Sequence, residues 1–150
     1  MRRLSGILIT KRTIEKVQHR ASKLVPSLAK LPYEERLARL RLTTLELRRT
    51  RGDLIEYYKY VKGFNEIYFA MPPQLVSSQS ASGPASNIRG GPSRISRQFT
   101  KVTQRDMFFT NRIVKPWNDL PAHVIGAEST NSFKNKLDQH LSLKLSTQLP

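Results

Sequence analysis

Apolar residues recur at helical spacing through the first part of the chain, at Ile14, Val17, Ala21, Leu24 and Val25, while Arg12, Lys16, His19, Arg20 and Lys23 fall on the opposite side. The spacing predicts an amphipathic helix from Thr10 to Val25 with a basic face, ended by Pro26. A second, short helix is expected after Pro32. It has Glu34 and Glu35 near its positive end, Arg36, Arg39 and Arg41 towards its negative end, and Tyr33, Leu37 and Leu40 as its buried stripe. For the third helix, Thr43 and Glu46 have the spacing of a capping box, and Leu42 and Leu47 that of the flanking hydrophobic staple. It should run to about Lys62, with Gly63 placed to stop it. Leu47, Leu54, Tyr58 and Val61 share one face, and Arg49, Asp53, Glu56 and Lys59 the other. Gly52 costs this helix about 1 kcal/mol, and is either a tolerated imperfection or a point where a backbone or nucleic-acid strand comes close.

The pattern then changes. Seven serines, four prolines and three glycines occupy the 25 residues from Pro72 to Ser96, too little apolar surface to hold a packed core, so a flexible linker is expected. Ile95 to Val102 reads as a short extended segment, and Gln104 to Val114 resumes helical spacing through Phe109 and Ile113 towards Trp117, with Pro116 expected to kink or end that helix. A last helix is expected with Thr130 as cap and Phe133, Leu137 and Leu141 at four-residue spacing, leaving Lys134 and Lys136 exposed. The expected fold is mainly α: a small helical bundle in two lobes, residues 10–70 and 99–145, joined by a Ser/Pro/Gly-rich flexible linker over 71–98.

Charge narrows the partner. Among 150 residues, 26 Lys and Arg stand against 11 Asp and Glu, a formal net charge of +15, while the hydrophobic content of 38% is low for a large core. Such an excess favours a polyanion, because condensed counterions are released on contact. RNA, DNA or an RNA–DNA hybrid bound through its phosphates is the expected partner. A membrane is not expected: a peripheral binder gathers its charge on one amphipathic helix, whereas here basic residues run through every segment, and the apolar stretch at Ile7-Leu8-Ile9 is too short to span a bilayer or to make a signal peptide. The chain has no cysteine, which removes disulfides, thiolate metal sites and cysteine nucleophiles. His19, His123 and His140 are too far apart for a local metal signature, so no metal and no cofactor are expected.

Two-metal polymerase or nuclease chemistry needs clustered carboxylates, and Asp53, Asp106, Asp119 and Asp138 are widely separated. Glu34 and Glu35 are adjacent, but successive helix positions diverge and make a poor joint ligand set. Gly90-Gly91 is followed by Pro92 rather than by a phosphate-loop lysine. Arg51-Gly52-Asp53 falls inside a helix, where it cannot act as an adhesion loop. Binding is what remains. Arg12, Lys16, Arg20 and Lys23 on the first helix, with Arg48, Arg49 and Arg51 on the third, are the expected phosphate contacts. Tyr57, Tyr58 and Tyr60 are candidate stacking groups, of which Tyr58 is expected in the core, as are Trp117, Phe108 and Phe109.

The residues also carry a resemblance. Glu15 to Pro26, then Leu31-Pro32-Tyr33-Glu34-Glu35-Arg36-Leu37, then Leu42 to Glu56 with Tyr58-Lys59, resemble the region just past the polymerase domain of jockey-like non-LTR retrotransposon reverse transcriptases. A second set, Phe108 to Val114, Trp117-Asn118-Asp119-Leu120-Pro121 and Asn131 to Asp138, follows the same family's order. The resemblance covers roughly Thr13 to His140. It implies a non-catalytic, thumb-like and post-thumb helical module that grips template and primer and docks on a polymerase core, with Met1 as an internal start. The family's metal-binding aspartates and its endonuclease lie upstream, so neither activity carries over to any residue here. The competing expectation is a retroelement remnant or protein-interaction module with no activity of its own.

Overall fold

The computed structural model describes residues 15–76 and 93–146, the side chains of residues 103, 104 and 143–146 excepted. Arg12, the expected first turns of the leading helix and residues 77–92 of the Ser/Pro/Gly-rich stretch lie outside the described residues. What is described is mainly helical, as the hydrophobic pattern predicts. The chain divides into two compact units, residues 1–50 and 51–150. The division falls within the third helix.

In the first unit, residues 15–23 form helix α1, Pro26–Leu28 a single 3-10 turn, and Tyr33–Arg39 helix α2; helix α3, Leu45–Val61, begins there. Pro26 ends α1 as expected, and Pro32 is the N-cap of α2, whose first turn carries Glu34 and Glu35 and whose last carries Arg36 and Arg39. Helix α2 closes in a double hydrogen-bonded cap: the Leu42 amide donates to the Leu37 carbonyl at 2.9 Å and the Arg41 amide to Ala38 at 3.1 Å. This places Arg41 at φ 53°, a left-handed conformation that usually calls for glycine.

The inward face of α1 is not the one its apolar spacing predicts. Val17 and Leu24 are 64% and 82% exposed, whereas Gln18 and Ser22 are buried. The cause is polar. Glu15 accepts from the Tyr33 hydroxyl at 2.6 Å and from the Leu45 amide at 3.1 Å, so one carboxylate joins α2 to the unsatisfied first turn of α3. Gln18 donates to the Thr43 carbonyl at 3.0 Å and accepts from Arg48. The orphan groups at the start of α3 thus draw the polar side of α1 inward and leave its apolar stripe outside.

Helix α3 is capped by Thr44, whose hydroxyl accepts from the Leu47 amide at 3.2 Å. The expected cap, Thr43, lies one residue too early, so the Thr43–Glu46 box and the Leu42–Leu47 staple fall out of register; Leu42 is 40% exposed. At the other end Gly63 stops the helix as expected, at φ 70°, with its amide on Tyr60 and that of Phe64 on the Lys59 carbonyl at 2.8 Å.

In the second unit α3 contributes Leu54, Ile55, Tyr57 and Tyr58 to the core. Strands β1, Gln74–Leu75, and β2, Ile95–Ser96, pair antiparallel, Gln74 opposite Ser96 and Leu75 opposite Ile95. Short helices follow: α4 Thr103–Asp106, α5 Phe109–Arg112, α6 Val114–Asn118 and α7 Ala122–Ile125, then the long α8, Thr130–Ser146. Pro116 sits in the first turn of α6, where its missing N–H leaves no gap in the ladder, and the break falls at Ile113, shared by α5 and α6. Ser129 caps α8 by accepting from the Ser132 amide at 3.2 Å, one residue before the expected Thr130.

Trp117, Phe133, Leu137 and Val124 pack with Tyr57 and Tyr58; Tyr57 meets Trp117 edge-on at 4.6 Å between centroids, and Tyr58 stacks on Phe133 at 4.1 Å. The Tyr58 hydroxyl donates to the Ala127 carbonyl at 2.6 Å, which satisfies the polar end of a fully buried ring. Leu54, Tyr58 and Trp117 are core as expected, and Tyr57 joins them. Phe109 is half-buried against the core, whereas Phe108 is 48% exposed.

Candidate nucleic-acid interface

Lys16, Arg20 and Lys23 occupy positions i, i+4 and i+7 of α1 and therefore lie on one face. All three are exposed, and none meets a carboxylate among the described residues. Their alignment follows from the packing described above, because the side of α1 carrying Glu15, Gln18 and Ser22 is held against α2 and the start of α3. On the adjoining part of the exposed side lie Val17, Ala21 and Leu24, so the basic face borders an uncovered apolar stripe.

The arginines of α3 divide by role. Arg49 is exposed and meets no carboxylate among the described residues. Arg48 turns back on its own unit, donating to Gln18 and to the Thr43 carbonyl at 3.3 Å. In the second unit the Arg51 fork is filled by Asp138, Nε to Oδ1 at 2.6 Å and Nη2 to Oδ2 at 2.8 Å. The bidentate hydrogen bonds hold the Asp138 carboxyl below the usual aspartate range and raise Arg51. Arg51, expected among the phosphate contacts, is thus paired with a carboxylate within the fold.

Each aspartate has its own cation. Besides Asp138 with Arg51, Asp53 takes both arms of Arg112 at 2.7 Å, Asp106 pairs with Arg97, and Asp119 with Lys115 at 3.0 Å. Arg51 and Asp53 are thereby both engaged on α3, which agrees with setting aside an adhesion role for Arg51-Gly52-Asp53. Among the described residues no group of three or more His, Asp or Glu side chains is placed to hold a metal ion, and no helix is long and apolar enough to cross a membrane.

Gly52 is open: a methyl group added there meets nothing within 4 Å, so no other part of the described chain exploits the missing side chain. Tyr33 is pushed up to about 12, first by burial and then by its hydrogen bond to the Glu15 carboxylate. Burial likewise raises Tyr57 and Tyr58, and neither ring is accessible as a stacking surface.

The exposed rings are elsewhere in the second unit. Tyr68 is 94% and Phe99 89% exposed, the latter near Lys101 and Arg105 in sequence. A hydrophobic pattern searched for helices passes over both, because neither lies in a helix. The adjacent Phe69 packs edge-on to Tyr60 at 5.1 Å and stacks on Phe109 at 5.8 Å, whereas Tyr68 is exposed.

Comparison with protein-family models, curated proteins and solved structures finds no match to this chain.

Proposed function

We propose that this chain is a sequence-independent nucleic-acid-binding module that contacts the phosphates of RNA, DNA or their hybrid, a non-catalytic segment of the kind that follows the polymerase domain in jockey-like non-LTR reverse transcriptases. The observation that carries it is the exposed row Lys16, Arg20 and Lys23 on one face of α1, without carboxylate partners among the described residues, in a chain of net charge +15. Arg49 extends the set. Arg48 contributes more to holding α1 on α3 than to an external ligand, and Arg51 is neutralised by Asp138. The family assignment rests on the two ordered blocks of residues, Glu15 to Lys59 and Phe108 to Asp138.

The test is titration of the intact chain with duplex, hybrid and single-stranded probes over a range of salt. Affinity should fall log-linearly with salt, independent of probe sequence. Replacing Lys16, Arg20 and Lys23 together by Gln, which keeps helix propensity, should weaken binding and reduce the duplex salt slope by about 0.9 for each phosphate no longer neutralised. Absence of salt-sensitive binding to any probe refutes the reading.

One observation favours a second reading, a protein-interaction module. Val17 and Leu24 form an uncovered apolar stripe on α1, the type of surface that packs against another protein. That reading requires self-association or capture of a polymerase core, abolished by Val17→Ser with Leu24→Ser.

A further inference from the structure

We infer that Glu15 is a positioning residue for phosphate binding: its carboxylate seats α1 on α2 and α3, and so aligns the row Lys16, Arg20 and Lys23 before a polyanion arrives. The inference rests on the phosphate-binding reading and deepens it, naming a residue that acts on the ligand only through others.

Charge alone makes Glu15 unexpected. It is the one carboxylate in the described part of α1 and stands next to Lys16, where an anion repels the phosphates that the row would hold. Geometry supplies the reason for it. Successive residues of a helix advance by about 100°, which puts Glu15, Gln18 and Ser22 on one side of α1 and the three cations on another. From the inward side Glu15 reaches two elements at once. Its Oε1 accepts from the Tyr33 hydroxyl of α2 at 2.6 Å, and its Oε2 from the Leu45 amide of α3 at 3.1 Å. The second bond fills an open first-turn donor, where the helix dipole favours negative charge.

Apolar packing does not take over this task. Val17 and Leu24 are exposed, so the hydrophobic stripe of α1 does not hold it in place. Nor does propensity suffice, since isolated helices shorter than about 12–15 residues are marginal in water and the described part of α1 spans residues 15–23. The other ties are those of Gln18 to the Thr43 carbonyl and to Arg48, and of the His19 ring to Tyr33 at 4.7 Å between centroids. Among the described residues of α1, Glu15 is the one whose side chain hydrogen-bonds to both α2 and α3. Without its carboxylate α1 loses its seat. The three cations then point in many directions, and ordering them falls on the binding step.

The experiment measures the affinity of the full chain for a duplex over a range of salt and compares Glu15→Gln with Glu15→Ala. The two variants lose the same charge. Gln keeps the reach, with an oxygen to accept the Leu45 amide and an amide to donate to the Tyr33 oxygen, whereas Ala reaches neither. Glu15→Gln should bind at least as tightly as the unaltered chain. Glu15→Ala should bind about tenfold more weakly at every salt concentration with the salt slope unchanged, because the same cations meet phosphates without being aligned beforehand. Thr44→Ala weakens the start of α3 through a hydroxyl that serves α3 alone, and should bind as the unaltered chain does. Equal affinities for Glu15→Gln and Glu15→Ala overturn the positioning role and leave the phosphate reading standing, since Glu15 then acts through its charge. A shallower slope for Glu15→Ala overturns it as well, because contacts would be missing rather than misaligned. So does a loss in Thr44→Ala equal to that in Glu15→Ala, which general loss of stability would explain. No salt-sensitive binding by the unaltered chain overturns both readings.

Discussion

Arg41 and Gly63 hold the same position at the ends of successive helices, one residue past the cap, with φ of 53° and 70°. A side chain there places its Cβ against the following carbonyl, at a cost of about 1–2 kcal/mol that glycine avoids, partly offset by glycine's larger loss of freedom on folding. Arg41→Gly should therefore stabilise the first unit by about 0.5–1 kcal/mol, and Gly63→Ala should destabilise the second by about 1 kcal/mol, both read from urea midpoints at constant m. The caps at the start of the long helices allow an equally local test. Thr44→Ala removes the hydroxyl that accepts the Leu47 amide and should cost about 1 kcal/mol. Thr43→Ala should be nearly neutral, since Thr43 contributes its carbonyl, which alanine retains. A larger loss at Thr43 than at Thr44 would return the cap to the earlier residue.

At the scale of elements, the sequence located α2, most of α3, α8 and the glycine stop correctly, because each depends on local signals: a proline entrance, charges suited to the dipole, and four-residue apolar spacing. Both cap assignments missed by one residue for the same reason. Thr43-Thr44 and Ser129-Thr130 are doublets of cap-competent residues, and only the packing phase of Leu54, Tyr58, Phe133 and Leu137 chooses between them. The inward face of α1 was illegible because it is set by orphan amides and carbonyls on α3, distant in sequence, which outweighed the apolar stripe. Of the candidate site, the basic row on α1 was readable from spacing; the pairing of Arg51 with Asp138, 87 residues away, was not. That pair ties α3 to α8 and makes a pH prediction. The Asp138 carboxyl titrates lower in the folded chain than in the unfolded one, so its contribution is fully present above about pH 4 and is lost as the pH falls through its folded value. Both side chains are more than a third exposed, at 38% and 48%, so screening limits the effect to about 1 kcal/mol at most. Asp138→Asn should flatten the acid limb of thermal stability below about pH 4; an unchanged acid limb would mean that the pair contributes nothing.

For the whole molecule, net charge dominates. A charge of +15 opposes compaction, so Tm should rise as salt is added from low ionic strength to about 0.15 M, and polyphosphate should raise it further at equal ionic strength. A Tm that is flat in salt and unmoved by polyphosphate would contradict this. Because every aspartate is matched to a separate cation, no nucleotide incorporation or strand cleavage with magnesium or manganese is expected; turnover that follows the chain through purification would overturn that. The Glu15 carboxylate also limits how far the protein can be trimmed. It completes the first turn of α3 and receives the Tyr33 hydroxyl from a position before most of α1, so a shortened version beginning at residue 16 or later would keep the sequence of α2 and α3 yet lose the acceptor that joins them. A fragment that preserves the first unit must therefore start at or before Glu15, and a deletion series that cuts after α1 will remove a junction between α2 and α3 that it was not designed to test.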